Sequence, residues 1–499
     1  MTATIDQALR WWADKIPGNR AIVVGPDVTT YGEFEQWTAR IALDLRARGL
    51  KPGDRVPIFA PNSMHWCAAA LGIIRAGGTL VPLNYRYTQS EAESVAADCM
   101  PAMIYVGGEK AAMLEGIGHT LLQLADVAAL RRGETVSFIG DHDPDAVTVI
   151  GYTSGSTARP KGVMLTHRTM LGYALEAVIN YPEHQMGATA INVAPLYTSA
   201  GTIQLVEFLN LGMTDFIEAD FDAERALRLL IEEKVQIFGG VPTFWERIAA
   251  CPGFAEADLT HIKWAACGGA RVPLALLETW RGKGVILRQL YGLTEAGGNS
   301  SVMPASEAID HPEQCGRGGI FTKHRIVDEN GDDVPVGTPG EIVVRGPGVM
   351  IGYWNNPEAT KDAFFGDWLR SGDIGVMDEK GNMQLVDRLK DIIISGGLNI
   401  WPLDIEAVIN EIDGVIEVAV IAAQDEKFGE TPMAIVHASP AITAAQIVEH
   451  CNARLANYKV PRYIVLSAEP LPRLATGKIS KRDLKQAYKD AHQTLERVR

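Results

Sequence analysis

The chain has 499 residues, 47% hydrophobic and 21% charged, and 61 acidic against 46 basic side chains leave a net charge of −15. That composition is globular, the length implies more than one core, and the acidic balance argues against a general binder of nucleic acid or anionic membrane. Six cysteines without paired spacing disfavour a zinc site or disulfide scaffold, no apolar run reaches the length of a membrane span, and residues 1–20 hold no apolar core of signal-peptide length.

Taken from the N-terminus, Val56-Pro57-Ile58-Phe59 reads as a strand, 66–76 as an apolar-periodic helix and 79–83 as a second strand. This is a strand–helix–strand unit, the building block of a parallel sheet. Further on, Ala146-Val147-Thr148-Val149-Ile150 has strand composition and 164–177 reads as a helix. Between them, residues 152–167 run Tyr-Thr-Ser-Gly-Ser-Thr-Ala-Arg-Pro-Lys-Gly-Val-Met-Leu-Thr-His. A turn this rich in Gly, Ser and Thr offers convergent backbone N–H groups to the oxyanions of a phosphate chain, and Lys161 adds a point charge. A plain surface turn has the same composition. It is not a Walker loop, because Pro160 precedes Lys161 and Gly162 follows it.

A helix over 223–233 and a strand over 235–238 repeat the strand–helix theme. Cys267-Gly268-Gly269-Ala270 reads as a strand-end turn, and Tyr291-Gly292-Leu293-Thr294-Glu295 as a second polar turn. From about 320 to 390 the texture changes to short strands with tight turns. Within it, Asp328-Glu329-Asn330-Gly331-Asp332-Asp333 superficially matches a calcium loop. Its sixth position lacks the glycine such a loop needs, so a turn at Asn330-Gly331 is the better reading. The last stretch, about 110 residues, has the size of a small α+β domain. It has a helix over 403–412, a strand over 415–422 and a helix over 443–455. It ends in a basic tail where Lys478, Lys481 and Lys485 share helical spacing, which by itself describes a solvated basic face.

The phosphate-type loop at 152–167 and five later segments match, in order and over essentially the whole chain, the adenylate-forming superfamily, which contains acyl-CoA synthetases, firefly luciferase and peptide-synthetase adenylation domains. The chain resembles its acyl-CoA synthetase branch. The resemblance implies an α/β fold. A large N-terminal domain of layered α/β subdomains with a small β-barrel-like part is expected at 1–387, a hinge at 388–392, and a small mobile α+β lid at 393–499. It implies that Thr153, Ser154, Gly155, Ser156, Thr157 and Lys161 hold the phosphates of ATP, and that Gly268, Gly269 and Ala270 line the adenine and acyl pockets. Tyr291 would flank adenine, with Gly292 beside it; Thr294 would meet the α-phosphate, and Glu295, with Thr153, would hold Mg2+. Asp373 would accept the ribose hydroxyls, Arg388 would reach the same ribose or a nearby phosphate, and Lys390 would be the hinge. Ser395, Gly396 and Gly397 would shape the pantetheine tunnel, and Lys478, in Arg473-Leu474-Ala475-Thr476-Gly477-Lys478-Ile479, would be the catalytic lysine. The family usually has glycine where this chain has Ala158, and glutamate after Pro402, where Leu403 stands here.

The implied activity is ligation of a carboxylic acid to coenzyme A through an acyl-adenylate, with ATP and Mg2+. The acyl pocket would involve Tyr197, Thr198, Gly201, Gly268 and Gly292. Thr198 stands where many relatives place a histidine, and its smaller side chain suggests room for a hydrophobic acid of medium or greater length, or a bulky one. An aryl or cinnamate-type acid is the alternative, and loading of a carrier protein a more distant one. The expected partner is a small-molecule acid rather than nucleic acid, in a cytoplasmic setting, with a homodimer as the candidate assembly.

Overall fold

Apolar strands alternating with amphipathic helices build two largely parallel sheets in the first part of the chain. The computed structural model describes residues 3–140, 142–153, 160–269, 272–473 and 478–499. Two units emerge, one of Met1–His324 with Val343–Ser371, the other of Arg325–Ile342 with Gly372–Arg499. By residue-to-residue proximity the division falls at Ser371, ahead of the boundary expected at 387. The reason is local: Asp373–Met377 pair antiparallel with Met383–Arg388, so both arms of that hairpin stay together.

In the first unit, an eight-stranded sheet runs in the order Gly298–Val302, Leu287–Leu293, Trp264–Gly268, Ile237–Gly240, Thr189–Asn192, Thr214–Ile217, Arg20–Val24, Asp27–Thr30. Only its two edge pairs are antiparallel. A six-stranded sheet runs Thr120–Gln123, Met103–Val106, Arg55–Phe59, Thr79–Pro82, Val147–Thr153, Lys161–Thr166. The expected strand–helix–strand unit is present as Arg55–Phe59, Met64–Arg75 and Thr79–Pro82, its strands parallel. Under the larger sheet, Trp245 and Trp280 meet edge-on at 4.6 Å and Phe238 and Phe254 complete an aromatic core. Such side chains are each worth a few kcal/mol of burial, about 1.5–3. Thr4, Thr30, Thr88 and Thr443 begin helices with reciprocal capping boxes, a pattern written in the sequence as Thr-x-x-Glu or Thr-x-x-Gln.

One expectation is corrected here. Residues 164–166 are strand, not helix: Lys161–Thr166 folds back on Val147–Thr153 with Thr153 opposite Lys161, and the helix begins only at His167 after the Thr166 cap. Val163 and Leu165 alternate inward with period two, and that pattern prevails over the helical composition downstream. The described residues on either side of the phosphate-type segment are therefore antiparallel strands, and among them the helix starts only at His167.

In the second unit, Leu398–Ile400, Ile393–Ser395, Gly429–Ala438 and Val415–Asp425 form an antiparallel sheet, and Tyr463–Ser467 adds a parallel strand. Helices Pro402–Ile409 and Ala444–Arg454 supply Ile405, Ile409, Ile447 and Cys451 to the core with Val420 and Val436. Leu484 and Ala491, from the last two helices, join a second cluster with Ile421 and Ile435. The acidic stretch 328–333 is a turn: the Asp328 carboxylate accepts from the amides of Asn330 and Asp332 at 2.9 and 3.0 Å. Among the described residues no helix is long and apolar enough to cross a membrane.

Candidate active site

Two clusters of the expected residues form, one inside each unit. In the first unit, the strand Val147–Thr153 ends at Thr153, and Lys161 stands opposite it across the hairpin. The segment 351–354 lies along the same hairpin, its amides and carbonyls bonding Met164 and Gly162, with Val163 bridged to Tyr353. That places the Tyr353 ring 5.0 Å beneath the Lys161 ammonium, while the Tyr353 phenol donates to Glu295 Oε1 at 3.1 Å. Burial first, and the Glu295 charge second, push the Tyr353 phenol above its ordinary pKa, so it stays a donor. Thr294 follows the strand Leu287–Leu293, and a Cβ built on Gly151 would lie 3.5 Å from its methyl group. The ends of two separate sheets thus bring Thr294 and Glu295 toward the strand that carries Thr153.

Other expected residues of this unit are placed as follows. Gly268 closes the strand Trp264–Gly268 opposite Leu290, and Gly269 takes a positive φ of 78°. Tyr291 is buried, its ring edge-on to His324 at 6.4 Å, and Gly292 pairs with Asn299. Tyr197 is buried with Arg86 hydrogen-bonded to its phenol. Thr198 caps the helix Ser199–Asn210, its hydroxyl donating to the Pro195 carbonyl at 2.7 Å and accepting from Gly201 N at 3.4 Å. Its hydroxyl is therefore committed to the cap, and its small size is not simply vacated space. Gly201 packs against the carbonyls of Ala194 and Pro195, where a side chain has no room. Ser154, Gly155, Ser156, Thr157, Ala158 and Ala270 lie outside the described residues.

In the second unit, Asp373 and Arg388 are direct partners across the hairpin, and Arg388 Nε lies 3.3 Å from Asp373 Oδ1. The carboxylate is 11% exposed. Lys478 is half-buried in the same electrostatic neighbourhood. Burial and then Arg388 press its ammonium below the usual lysine pKa, while Asp373 holds it up. Lys390 is lowered likewise, first by burial and then by Arg388. Three cations therefore surround one carboxylate, which suits a ligand presenting hydroxyls to the carboxylate and anionic oxygens to the cations. Ser395 is buried, and Gly396 and Gly397, at φ of 57° and 82°, form the two-residue tip between Ile393–Ser395 and Leu398–Ile400.

The solvated basic face does not form. Lys478 precedes the helix Lys481–Ala487, Lys481 Nζ is 2.7 Å from Glu406, and Lys485 Nζ is 2.7 Å from Asp391 and 3.3 Å from the Lys390 carbonyl. Leu403, where the family has glutamate, has its amide bonded by Asp387 at 2.9 Å, so the helix start is capped from the neighbouring hairpin. Sequence reasoning missed Tyr353; its signal was an aromatic pair, Tyr353-Trp354, directly after Gly352 in a stretch of strands and turns. For a metal, the first unit offers hard oxygens from Glu295, Thr294 and Thr153. Among the described residues no three His, Cys, Asp or Glu side chains converge as a cage. That donor set fits an ion of the Mg2+ type, bound through a carboxylate with phosphate and water making up the rest.

Comparison with known proteins gives concordant matches. The family described as AMP-binding enzyme matches residues 9–354, and its C-terminal domain, AMP-binding enzyme C-terminal domain, matches residues 404–478. A feruloyl-CoA synthase of Amycolatopsis sp is 34% identical, covering 95% of this chain and 96% of its own. A long-chain-fatty-acid–CoA ligase of Mycobacterium tuberculosis is also 34% identical, over 92% and 93%. Among solved structures, ATP-bound MatB from Rhodopseudomonas palustris superposes with a TM-score of 0.89 at 30% identity, over 98% of this chain and all of the other.

Proposed function

The chain belongs to the AMP-binding enzyme family and is an AMP-forming acid–CoA ligase, and from that premise we propose which residues do which part of the work. It activates a carboxylic acid with ATP and passes the acyl group to coenzyme A. A carboxylate resists attack by a thiol because it is anionic and its leaving group is oxide. Joining it to AMP removes the charge and supplies a leaving group. The obstacle is bringing carboxylate and α-phosphate together: two such charges about 4 Å apart repel by about 4 kcal/mol at an effective dielectric near 20. Lys478 offsets that repulsion as the acyl–phosphate bond forms. Thr294 donates to the α-phosphate, Asp373 accepts from the ribose hydroxyls, and Arg388 adds a cation beside the same sugar. Glu295, oriented by the Tyr353 phenol, and Thr153 hold Mg2+, which when bound neutralises phosphate charge.

For the second half-reaction we assign Lys390 as the pivot, with rotation withdrawing Lys478 and bringing the Gly396-Gly397 tip to the pantetheine arm. The observation that carries this division is the cluster of Asp373, Arg388, Lys390 and Lys478 inside one unit, with Lys390 flanked by Lys485. The acid has a hydrophobic body, aliphatic of medium or greater length; the feruloyl-CoA synthase relative supports an aryl acid as the second reading. Cysteines that form no disulfide among the described residues, and the need for ATP and coenzyme A, support a cytoplasmic setting. The test is product analysis by mass spectrometry after incubating the protein with ATP, Mg2+ and a panel of organic acids. Acyl-AMP is expected without coenzyme A, and acyl-CoA with it. No acyl-AMP from any acid overturns the residue assignments together with the substrate class.

A further inference from the structure

Behind the Gly297-Gly298 turn that follows Thr294 and Glu295, the first unit encloses a narrow cavity with about 20 Å3 of water-accessible space, room for one small polar group. Its walls include Tyr173, His184, Glu207, Trp264, Asn299 and Ser300. They come from helices His167–Asn180 and Ser199–Asn210, the turn after the first helix, and two strands of the large sheet. Helix Ser199–Asn210 buries Ser199, Thr202 and Asn210 among its apolar side chains, but Glu207, 4% exposed, is its one charged residue and asks for a use.

The hydrogen bonds around Glu207 fix the polarity of the cavity. Tyr173 is hydrogen-bonded to Glu207, and His184 Nδ1 lies 3.3 Å from Glu207 Oε1. A carboxylate only accepts, so His184 donates from Nδ1, and in the neutral ring Nε2 is then a bare acceptor. His184 is 3% exposed and Nε2 has no partner among the described residues. Trp264, 4% exposed and 5.0 Å away ring to ring, has a donor, Nε1–H, also without a partner among them. One buried donor and one buried acceptor therefore border the same small space. A hydroxyl satisfies both at once, accepting from the indole and donating to the imidazole. A methylene satisfies neither, a carbonyl satisfies only the indole, and a carboxylate meets Glu207. Each buried group left unmatched is costly, so the difference is selective.

The cavity is continuous in sequence with the acyl side of the site. Asn299 pairs with Gly292, and a Cβ on Gly298 would sit 3.3 Å from the Tyr173 hydroxyl and 3.5 Å from Ile203. We propose that the acid this chain activates carries a hydroxyl at the end remote from its carboxylate, seated between Trp264 Nε1–H and His184 Nε2, with Glu207 and Tyr173 as positioning residues that hold the imidazole tautomer. This rests on the ligase reading above, with Gly292 in the acyl pocket that the family resemblance implies.

The experiment compares matched acids that differ only in a distal hydroxyl, as aliphatic pairs (ω-hydroxy against plain) and aryl pairs (hydroxyaryl against aryl), by kcat/KM for acyl-CoA formation. At least one hydroxylated member should be preferred by roughly 10-fold or more, the order expected when the analogue leaves a buried donor or acceptor unpaired. Trp264→Phe should bring that ratio close to one by lowering kcat/KM for the hydroxylated acid more than for the plain one, a selective loss that general loosening of the fold does not give. His184→Phe is the second variant, with the same expected loss of preference. A wild-type ratio at or below one for every pair means the space holds only water and overturns the inference, as does an unchanged ratio in both variants. In those outcomes the plain acids still yield acyl-CoA, whereas failure of the underlying reading is marked by no acyl-AMP from any acid.

Discussion

The two clusters of candidate residues are built on different electrostatic plans. In the first unit a single carboxylate, Glu295, is held by a phenol that in turn lies under one ammonium, Lys161, so charge is nearly balanced and geometry is fixed by strand ends. In the second unit one carboxylate, Asp373, faces Arg388, and the nearby Lys390 and Lys478 have pKa values lowered first by burial and then by Arg388. The first plan suits a site that orients a metal and a phosphate chain. The second holds surplus positive charge in partial burial, an arrangement that is costly until anions arrive. The difference teaches that orientation and charge neutralisation are separable here, so each can be broken alone.

The largest effect should come from removing the surplus charge. Lys478→Ala is expected to slow acyl-adenylate formation about a thousandfold, the rate equivalent of about 4 kcal/mol of uncompensated repulsion. Thioester formation from supplied acyl-adenylate should stay near wild type, and rapid-mixing assays of the two steps separate these outcomes. Equal loss in both would merge the two plans into one. Because the Lys478 pKa lies below the ordinary lysine value, its charge is lost as pH rises through that lowered value. The alkaline limb of kcat/KM for adenylation should therefore begin below the ordinary lysine range, and vanish in the alanine variant.

Asp373→Asn comes next. It keeps the shape but removes the charged acceptor, so the KM for ATP should rise by roughly 10- to 100-fold, as expected for a hydrogen bond to a charged group. Steady-state kinetics at fixed acid concentration checks this. A change confined to kcat would place Asp373 with Lys478 in the chemistry and not in ribose binding.

How far each plan was legible in the sequence follows from the range of the interactions. The Asp373–Arg388 pair was readable because each side chain sits in a short ordered motif, although their pairing across a hairpin was not. Tyr353 escaped because its partners, Lys161 and Glu295, lie far away along the chain, and only the folding of segment 351–354 onto the 161–166 strand unites them. The helix expected from 164 failed for a related reason. Composition there is ambiguous, and pairing with Val147–Thr153 decides in favour of strand. Lys481 and Lys485 looked like a solvated stripe because spacing reports which face residues share, not what packs against it; Glu406 and Asp391 do. Glu207 drew no notice in the sequence, because its His184 and Tyr173 partners meet it only once helices His167–Asn180 and Ser199–Asn210 pack together.

A smaller effect should sharpen the orienting role of the first cluster. Tyr353→Phe removes one neutral donor from Glu295 while leaving the ring beneath Lys161. A net hydrogen bond of about 0.5–1.5 kcal/mol converts to roughly a two- to tenfold higher Mg2+ requirement. Magnesium titration of pyrophosphate exchange measures it. If the Mg2+ dependence is unchanged while KM for ATP rises, the phenol serves the nucleotide and Glu295 does not depend on it.

The smallest effect probes the pivot. Lys485, on the helix that follows the catalytic-lysine segment, bonds both the Lys390 carbonyl and the Asp391 side chain, so it restrains the backbone at the proposed hinge. The ion pair is partly exposed, 35% on the lysine side, and such pairs contribute at most about 1 kcal/mol. Lys485→Met keeps the aliphatic stem and loses the charge together with both hydrogen bonds. Its consequence should be a shift of less than about fivefold in the ratio of the two half-reaction rates, with the melting temperature nearly unchanged. A restraint acting on torsions at Lys390 changes the balance between two conformations, and that balance appears only in the ratio. A purely structural pair would instead lower the melting temperature and slow both steps in proportion. Measuring the ratio and the melting temperature on the same preparation therefore tells whether this salt bridge merely braces the small unit or sets how readily it turns.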